Sequence, residues 1–291
     1  MNEKKYFLMF LCLLAVFFLI SCSGSPDFDT MLPDLPLNVT EYNYEDWTRI
    51  NVDERYVLNA NPWNAELSPY PYAQSIFLGD EDGKAFFGWQ WYWMNDDVWV
   101  LSYPEVFCGY SPFGTMGELG HTEGFPVRIG THSFKSTFDI VINTSSVESR
   151  DIWDMAFDIW FLFSTSNPDN FGRLDIKAEM MIWLKYTNQL LFYLYDEPHD
   201  SFTNNGITYD YFRDPAFPDG NGVDGAHYFT AFLATTPVLS SDDFDITPFI
   251  SYLIDNGVLT ESDFLTTIEL GTEVVKGRGE VIIRDYSVTV E

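Results

Sequence analysis

Two stretches of the chain place a carboxylate two residues from an indole, on one side of an alternating pattern. In residues 174–184, Leu174 and the apolar residues at every second position after it point one way, while Glu179, Met181 and Trp183 point the other way. Such alternation predicts a β-strand between two environments. The carboxylate is suited to chemistry, and the thioether and flat ring to holding the apolar faces of sugar rings. A strand covered on its second face by a loop would show the same pattern.

Residues 152–163 repeat this arrangement more cleanly. One face of the predicted strand is wholly apolar from Trp153 to Phe163, and the opposite face carries Asp158 and Trp160. Elsewhere the aromatic residues, 18% of the chain, fall in short alternating runs, as strands prefer. One helix is predicted, over residues 245–256. More than ten short strands and one helix favour an all-β sandwich of two antiparallel sheets, with a groove on the face that carries the acids and indoles.

The first residues predict export. Lys4 and Lys5 precede an apolar run over residues 7–20, which is too short for a comfortable membrane span and typical of a signal peptide. The sequence ending at Cys22 resembles the lipobox of bacterial lipoproteins, which would make Cys22 a lipid-modified anchor in the cell envelope (outer membrane or cell surface). An ordinary secretory signal is the alternative. We expect a signal peptide over 1–21, a flexible tether over 22–43 and one domain over 44–291.

The charge of the chain limits its partners. A formal net charge of −29 argues against nucleic acid and anionic membrane surfaces, and it permits a neutral polysaccharide. The four histidines are scattered and the cysteines do not cluster, so no metal site and no cofactor are expected. We expect a monomer.

Five short motifs, taken in order, resemble glycoside hydrolase family 12. They are Asn61-Pro62-Trp63-Asn64 with Gln74, Ser102-Tyr103-Pro104-Glu105-Val106, Phe157-Asp158-Ile159-Trp160, Glu179-Met180-Met181-Ile182-Trp183-Leu184 and Leu270-Gly271-Thr272-Glu273. Each motif is weak alone, and their order across residues 61–290 is the stronger signal. The resemblance implies a jelly-roll sandwich with a concave substrate cleft.

The resemblance also implies roles for individual residues. Glu179 would be the nucleophile of a retaining glycosidase and Glu273 the general acid and base, with Asp158 hydrogen-bonded to the nucleophile. Asn61, Trp63, Trp160, Met181 and Trp183 would contact substrate. The residues after Trp183 depart from the family pattern, which leaves the subsites at that end of the cleft open.

These features lead to a first hypothesis, a retaining endo-β-1,4-glucanase acting on cellulose-type, mixed-linkage or xyloglucan polymers. The alternative is a surface glycan-binding lipoprotein that keeps the fold without catalysis. The presence of both Glu179 and Glu273 argues against that alternative, because binding alone requires neither. A structural envelope protein is a third possibility, and it would leave the paired acids unexplained.

Overall fold

The computed structural model describes residues 31–94, 100–113, 122, 124–144, 151–187, 197–213 and 227–291. Within these ranges the chain forms sixteen strands and the helix α1 (Thr247–Asp255). The strands are β1 (Val39–Asn43), β2 (Arg49–Asn51), β3 (Val57–Asn59), β4 (Tyr72–Glu81), β5 (Lys84–Trp93), β6 (Glu105–Gly109), β7 (Val127–Arg128), β8 (Phe134–Thr144), β9 (Ile152–Leu162), β10 (Ile176–Tyr186), β11 (Asp200–Asn204), β12 (Ile207–Arg213), β13 (Tyr228–Ala234), β14 (Ser240–Asp245), β15 (Phe264–Gly271) and β16 (Val274–Val290). The predicted signal peptide over 1–21 and the predicted anchor Cys22 lie outside the described residues.

The strands form two sheets that share β16. The outer sheet runs in the order β1-β4-β5-β16-β8-β14. The cleft sheet runs β2-β3-β6-β15-β9-β10-β13-β12-β11, with β7 also on β15. The start of β16 also pairs with β9, which joins the sheets at one end. The predicted two-sheet, nearly all-β fold with a short helix is confirmed. The expectation of purely antiparallel pairing is wrong for β10 and β13, which run parallel.

Aromatic side chains from both sheets meet in the core between them. Trp91 of β5 lies 6.1 Å from Trp153 of β9, measured between ring centroids, and Phe138 of β8 lies 5.6 Å from Phe157 of β9. Phe244 of β14 stacks on Phe157 at 5.5 Å. Burial of such rings is the main stabilising contribution to a sandwich of this kind. It also packs β9 against the outer sheet.

Three element boundaries differ from the sequence prediction. β10 begins at Ile176, because a 3₁₀ turn over Arg173–Asp175 interrupts the alternation and leaves Leu174 68% exposed instead of in the core. β16 begins at Val274, seven residues before the predicted strand at 281–290. The expected tether over 22–43 contains β1, whose backbone pairs with the edge of β4. The predicted helix at 245–256 matches α1 closely.

None of the helices in the described part of the chain combines the length and the apolarity that crossing a bilayer would require.

Candidate active site

The cleft face of β9 brings the candidate acids together with those of its neighbours. Asp158 is paired in register with Met181 of β10 on one side and with Glu269 of β15 on the other. Glu179 of β10 is paired with Trp160 of β9. Residues that pair directly across strands share a face of the sheet, so all five side chains lie on the side of β9 opposite the sandwich core.

Glu179 makes two hydrogen bonds with residues that lie in, or just before, its parallel neighbour β13. Its Oε2 lies 2.8 Å from Nε2 of His227, one residue before β13 begins. The hydroxyl of Thr230 donates a hydrogen bond of 3.0 Å to the Glu179 backbone carbonyl. The Glu179 side chain remains 16% exposed, so it can be reached from the cleft.

Glu273 lies between β15 and β16, where its backbone is locked to β9. Its N–H donates to Oδ1 of Asp154 at 3.1 Å, and the N–H of Asp154 donates to the Glu273 carbonyl at 3.0 Å. Burial raises the pKa of the Glu273 carboxyl to about 7, a hydrogen bond from Asp154 lowers it, and the charge of Glu179 raises it. Glu273 therefore keeps a proton into the neutral range.

Asp158 does not make the predicted hydrogen bond to the nucleophile candidate. Both residues are described, and the bond on the Glu179 carboxylate comes from His227 instead. Burial, followed by the charges of Glu179 and Glu273, raises the pKa of Asp158 well above its usual range. The raised pKa favours the protonated, neutral form of Asp158. Its Oδ1 atom has no hydrogen-bond partner in the described structure.

A second pair of acids, Glu105 and Glu269, lies farther along the same floor. The amides of Asn59 and Asn61 donate to Oε1 of Glu105 at 2.8 and 3.1 Å. Burial raises the pKa of Glu105 to about 7. Burial, then the charges of Glu105 and Asp158, raise that of Glu269 well above its usual range. The sequence reasoning assigned no role to Glu269, although it alternates with Thr267 and Gly271 on β15 as a cleft-facing residue would.

The predicted substrate-binding residues differ in how open they are. Trp63 is 47% exposed. Asn61, two residues before it, donates a hydrogen bond to Glu105 on the floor of the cleft. Trp183 is only 2% exposed, because it packs with Met181, and its indole N–H donates to the Met181 sulfur at 3.5 Å. The Trp160 ring makes edge-on contacts with the rings of Phe113 and His227. Of the three predicted tryptophans, Trp63 is the most exposed.

Glu179 provides an ionisable carboxylate that is hydrogen-bonded to His227. Glu273 provides a carboxyl that keeps its proton into the neutral range. Such a pair can attack a carbon centre and protonate the departing oxygen in the same step. His227 was missed at the sequence level, because nothing in the spacing of four scattered histidines links it to Glu179. The link exists only through the parallel pairing of β10 and β13.

Comparison with known proteins finds named endoglucanases that are similar to this chain. The chain is 26% identical over 249 residues to Endoglucanase S of Pectobacterium parmentieri, covering 82% of this chain and 83% of the relative. A 90-residue segment is 37% identical to xyloglucan-specific endo-beta-1,4-glucanase A of Aspergillus niger, covering 31% of this chain and 34% of that protein.

Solved structures agree with the fold. The family 12 xyloglucanase of Bacillus licheniformis superimposes with a TM-score of 0.69 at 21% identity, covering 86% of this chain and all of that one. At this identity the likeness establishes the fold alone. Residues 54–291, which include every acid of the cleft, match the model of glycosyl hydrolase family 12, and the chain therefore belongs to this family.

Proposed function

We propose that this glycoside hydrolase cleaves β-1,4-linked glucans with retention of configuration, using Glu179 as nucleophile and Glu273 as general acid and base. One observation carries the proposal. Burial and the charge of Glu179 raise the pKa of the Glu273 carboxyl to about 7, while Glu179 accepts a hydrogen bond from His227. The two carboxyls thus have different environments and different tasks, as a retaining pair requires.

In the first step the Glu179 carboxylate attacks the anomeric carbon of the sugar. The bond from that carbon to the glycosidic oxygen breaks, and the Glu273 proton moves to the departing oxygen. The products are a shortened glucan and a glycosyl ester on Glu179. The negative charge of Glu179 is lost at this point, which removes one of the causes that raise the pKa of Glu273.

In the second step Glu273, now a carboxylate, accepts a proton from water. The water oxygen attacks the anomeric carbon from the face opposite the ester, and Glu179 departs as a carboxylate. Two inversions give net retention, and the mechanism requires carboxyl groups about 5–5.5 Å apart.

The proposed substrates are cellulose-type glucan, mixed-linkage glucan and xyloglucan. Support comes from the relatives, which are named endoglucanase and xyloglucan-specific endo-β-1,4-glucanase. The open ring of Trp63 suits the apolar face of a pyranose. A chain with net charge −29 also suits a neutral polymer better than an anionic one.

The test is release of reducing ends from the three polymers by the wild type, Glu179→Gln and Glu273→Gln. We expect activity on at least one polymer and a loss of at least about 10³-fold in both variants. Glu41→Gln, on exposed strand β1 of the outer sheet, is the matched control and should keep full activity. Binding without turnover by the wild type would overturn the proposal in favour of glycan capture.

Azide rescue separates the two roles. With an aryl cellobioside whose leaving group needs no acid, azide should restore turnover to both Glu179→Gly and Glu273→Ala. The nucleophile variant should form the α-glycosyl azide by a single inversion, and the acid/base variant the β-glycosyl azide. The reverse pattern of products would contradict the assignment.

We also propose export and lipid attachment at Cys22, on the basis of the apolar run at 7–20 and the motif that ends in Cys22. Cells expressing the full chain and labelled with a radioactive fatty acid should yield a labelled, detergent-phase protein. Cys22→Ala should abolish the label. Labelling that persists in this variant would contradict the proposed anchor.

A further inference from the structure

We propose that His227 is the positioning residue of the nucleophile, holding the Glu179 carboxylate for attack by an Nε2–H hydrogen bond. The inference rests on the proposed function and assigns to His227 the contact that the family resemblance implied for Asp158. An ionised carboxylate can only accept hydrogen bonds, so Nε2 of His227, 2.8 Å from Oε2 of Glu179, carries a proton and donates it to this bond.

The contact follows from the parallel pairing of β10 and β13. Glu179 is paired in register with Phe229. His227 precedes Phe229 by two residues, and a period of two returns its side chain to the same face of the sheet. The hydroxyl of Thr230 bonds to the Glu179 carbonyl and ties the two strands together at this point. The position of His227 is therefore set by backbone pairing as well as by its side-chain bond.

Aromatic contacts fix the plane of the imidazole. The His227 ring lies 5.3 Å from the Trp160 ring at 64°, and Trp160 is held in turn by Phe113 at 4.7 Å and 84°. Trp160 is 6% exposed. A ring packed against a buried indole loses little further freedom when it forms its hydrogen bond, so the bond is preorganised.

The surrounding charges explain why such a donor matters. Burial and, after it, the charge of Glu179 raise the pKa values of both Asp158 and Glu273, so the nucleophile candidate lies among other acids. A hydrogen bond to a charged group is about twice as strong as one between neutral groups. The His227 bond therefore holds the Glu179 carboxylate in one orientation for attack.

Two substitutions separate this role from simple packing. His227→Phe keeps a flat ring against Trp160 and removes the donor, while His227→Gln removes the ring and keeps an N–H of similar reach. We expect His227→Phe to lower kcat on polymer by about 10–100-fold with KM changed less than about twofold. His227→Gln should recover most of that loss.

A double-mutant cycle with azide gives the decisive readout. In the Glu179→Gly background, with azide as the nucleophile, there is no carboxylate to position, so adding His227→Phe should change the rescued rate less than about twofold. An equal loss of rate on adding His227→Phe to the wild type and to Glu179→Gly would overturn the inference. So would an unchanged rate on adding it to the wild type. If the phenylalanine variant does not fold, His227→Ala takes its place in the same cycle, with folding checked by thermal unfolding.

The same experiment keeps the two proposals apart. Failure of azide to rescue Glu179→Gly with His227 intact counts against the proposed nucleophile. Successful rescue with an unchanged penalty for losing His227 counts against the positioning role alone.

Discussion

Both faces of β9 are buried, but one carries only apolar side chains and the other carries two carboxylic acids. Every residue from Ile152 to Leu162 is buried. Toward the outer sheet the strand presents Trp153, Phe157 and other apolar side chains that pack against rings of β5, β8 and β14. Toward the cleft it presents Asp154 and Asp158, whose pKa values are raised well above the usual range, first by burial.

This contrast shows that burial has a different consequence on each face. On the core face it removes apolar area from water and stabilises the fold. On the cleft face burial disfavours the charged form of each carboxyl, which lowers the stability of the fold at neutral pH. It also keeps carboxyl groups protonated, as the general acid of a glycosidase must be. The cleft acids are therefore better explained by function than by folding. Five substitutions test that difference, from the largest expected effect to the smallest.

Phe157→Ala should destabilise the fold by about 3–5 kcal/mol, since it leaves a cavity where a fully buried ring meets Phe138 and Phe244. The measurement is the free energy of unfolding in urea.

The matched substitution is Asp158→Asn, at the residue that follows Phe157 and faces the cleft instead of the core. It should change the free energy of unfolding by less than about 1 kcal/mol, because the raised pKa favours a neutral carboxyl at this position and the isosteric amide is also neutral. Its kcat should fall instead. A large loss of stability in Asp158→Asn would contradict the assignment of the cleft face to function.

Glu269→Gln should weaken the dependence of stability on pH. Folding raises the pKa values of Glu105 and Glu273 from 4.5 to about 7, so the folded state binds more protons than the unfolded state between these values. The contribution of these groups to stability is present in full below pH 4.5 and is lost as pH rises through 7. Removing Glu269 eliminates another carboxyl with a raised pKa.

Urea unfolding at pH 5 and pH 8 measures this effect. The difference in free energy of unfolding between the two pH values should shrink in Glu269→Gln and stay unchanged in the exposed control Glu41→Gln. An equal difference in all three proteins would show that the buried acids do not titrate with folding.

Asp154→Ala should shift the alkaline limb of kcat/KM upward by up to about one pH unit. The hydrogen bond from Asp154 lowers the pKa of Glu273, so its removal raises that pKa, and the general acid stays protonated to higher pH. Asp154→Asn keeps a donor and should shift the limb less. A shift toward lower pH would contradict the role given to Asp154.

Trp63→Ala should raise KM by about two- to tenfold with kcat nearly unchanged, as expected for the loss of one stacking contact. Because the ring is 47% exposed, its loss should leave thermal unfolding unchanged. The comparison is with Tyr42→Ala, an exposed aromatic on β1 of the outer sheet, which should leave KM unaltered. An unchanged KM in Trp63→Ala would remove this ring from the substrate site.

Much of the fold could be predicted because the relevant signals are local. Alternation of apolar residues with others predicted β9 almost to its ends and β10 to within two residues, and helical spacing with Pro248 near the start predicted α1. The order of the five motifs along the chain predicted the family, and the match of residues 54–291 to the family model confirms it. The early part of β16, from Val274, was not predicted, since its pairing with β9 depends on residues more than a hundred positions away.

The candidate site was predictable only in part. By itself, the sequence determined that Asp158 and Glu179 share faces with indoles on two strands, because a period of two assigns faces without knowledge of neighbours. Only the tertiary structure decided what each side chain meets. It placed His227 on Glu179, put Glu269 beside Glu105, and buried the Trp183 ring against Met181. The physical reason is that these contacts depend on the order, direction and register of strands distant in sequence, and those arise only when the whole sandwich packs.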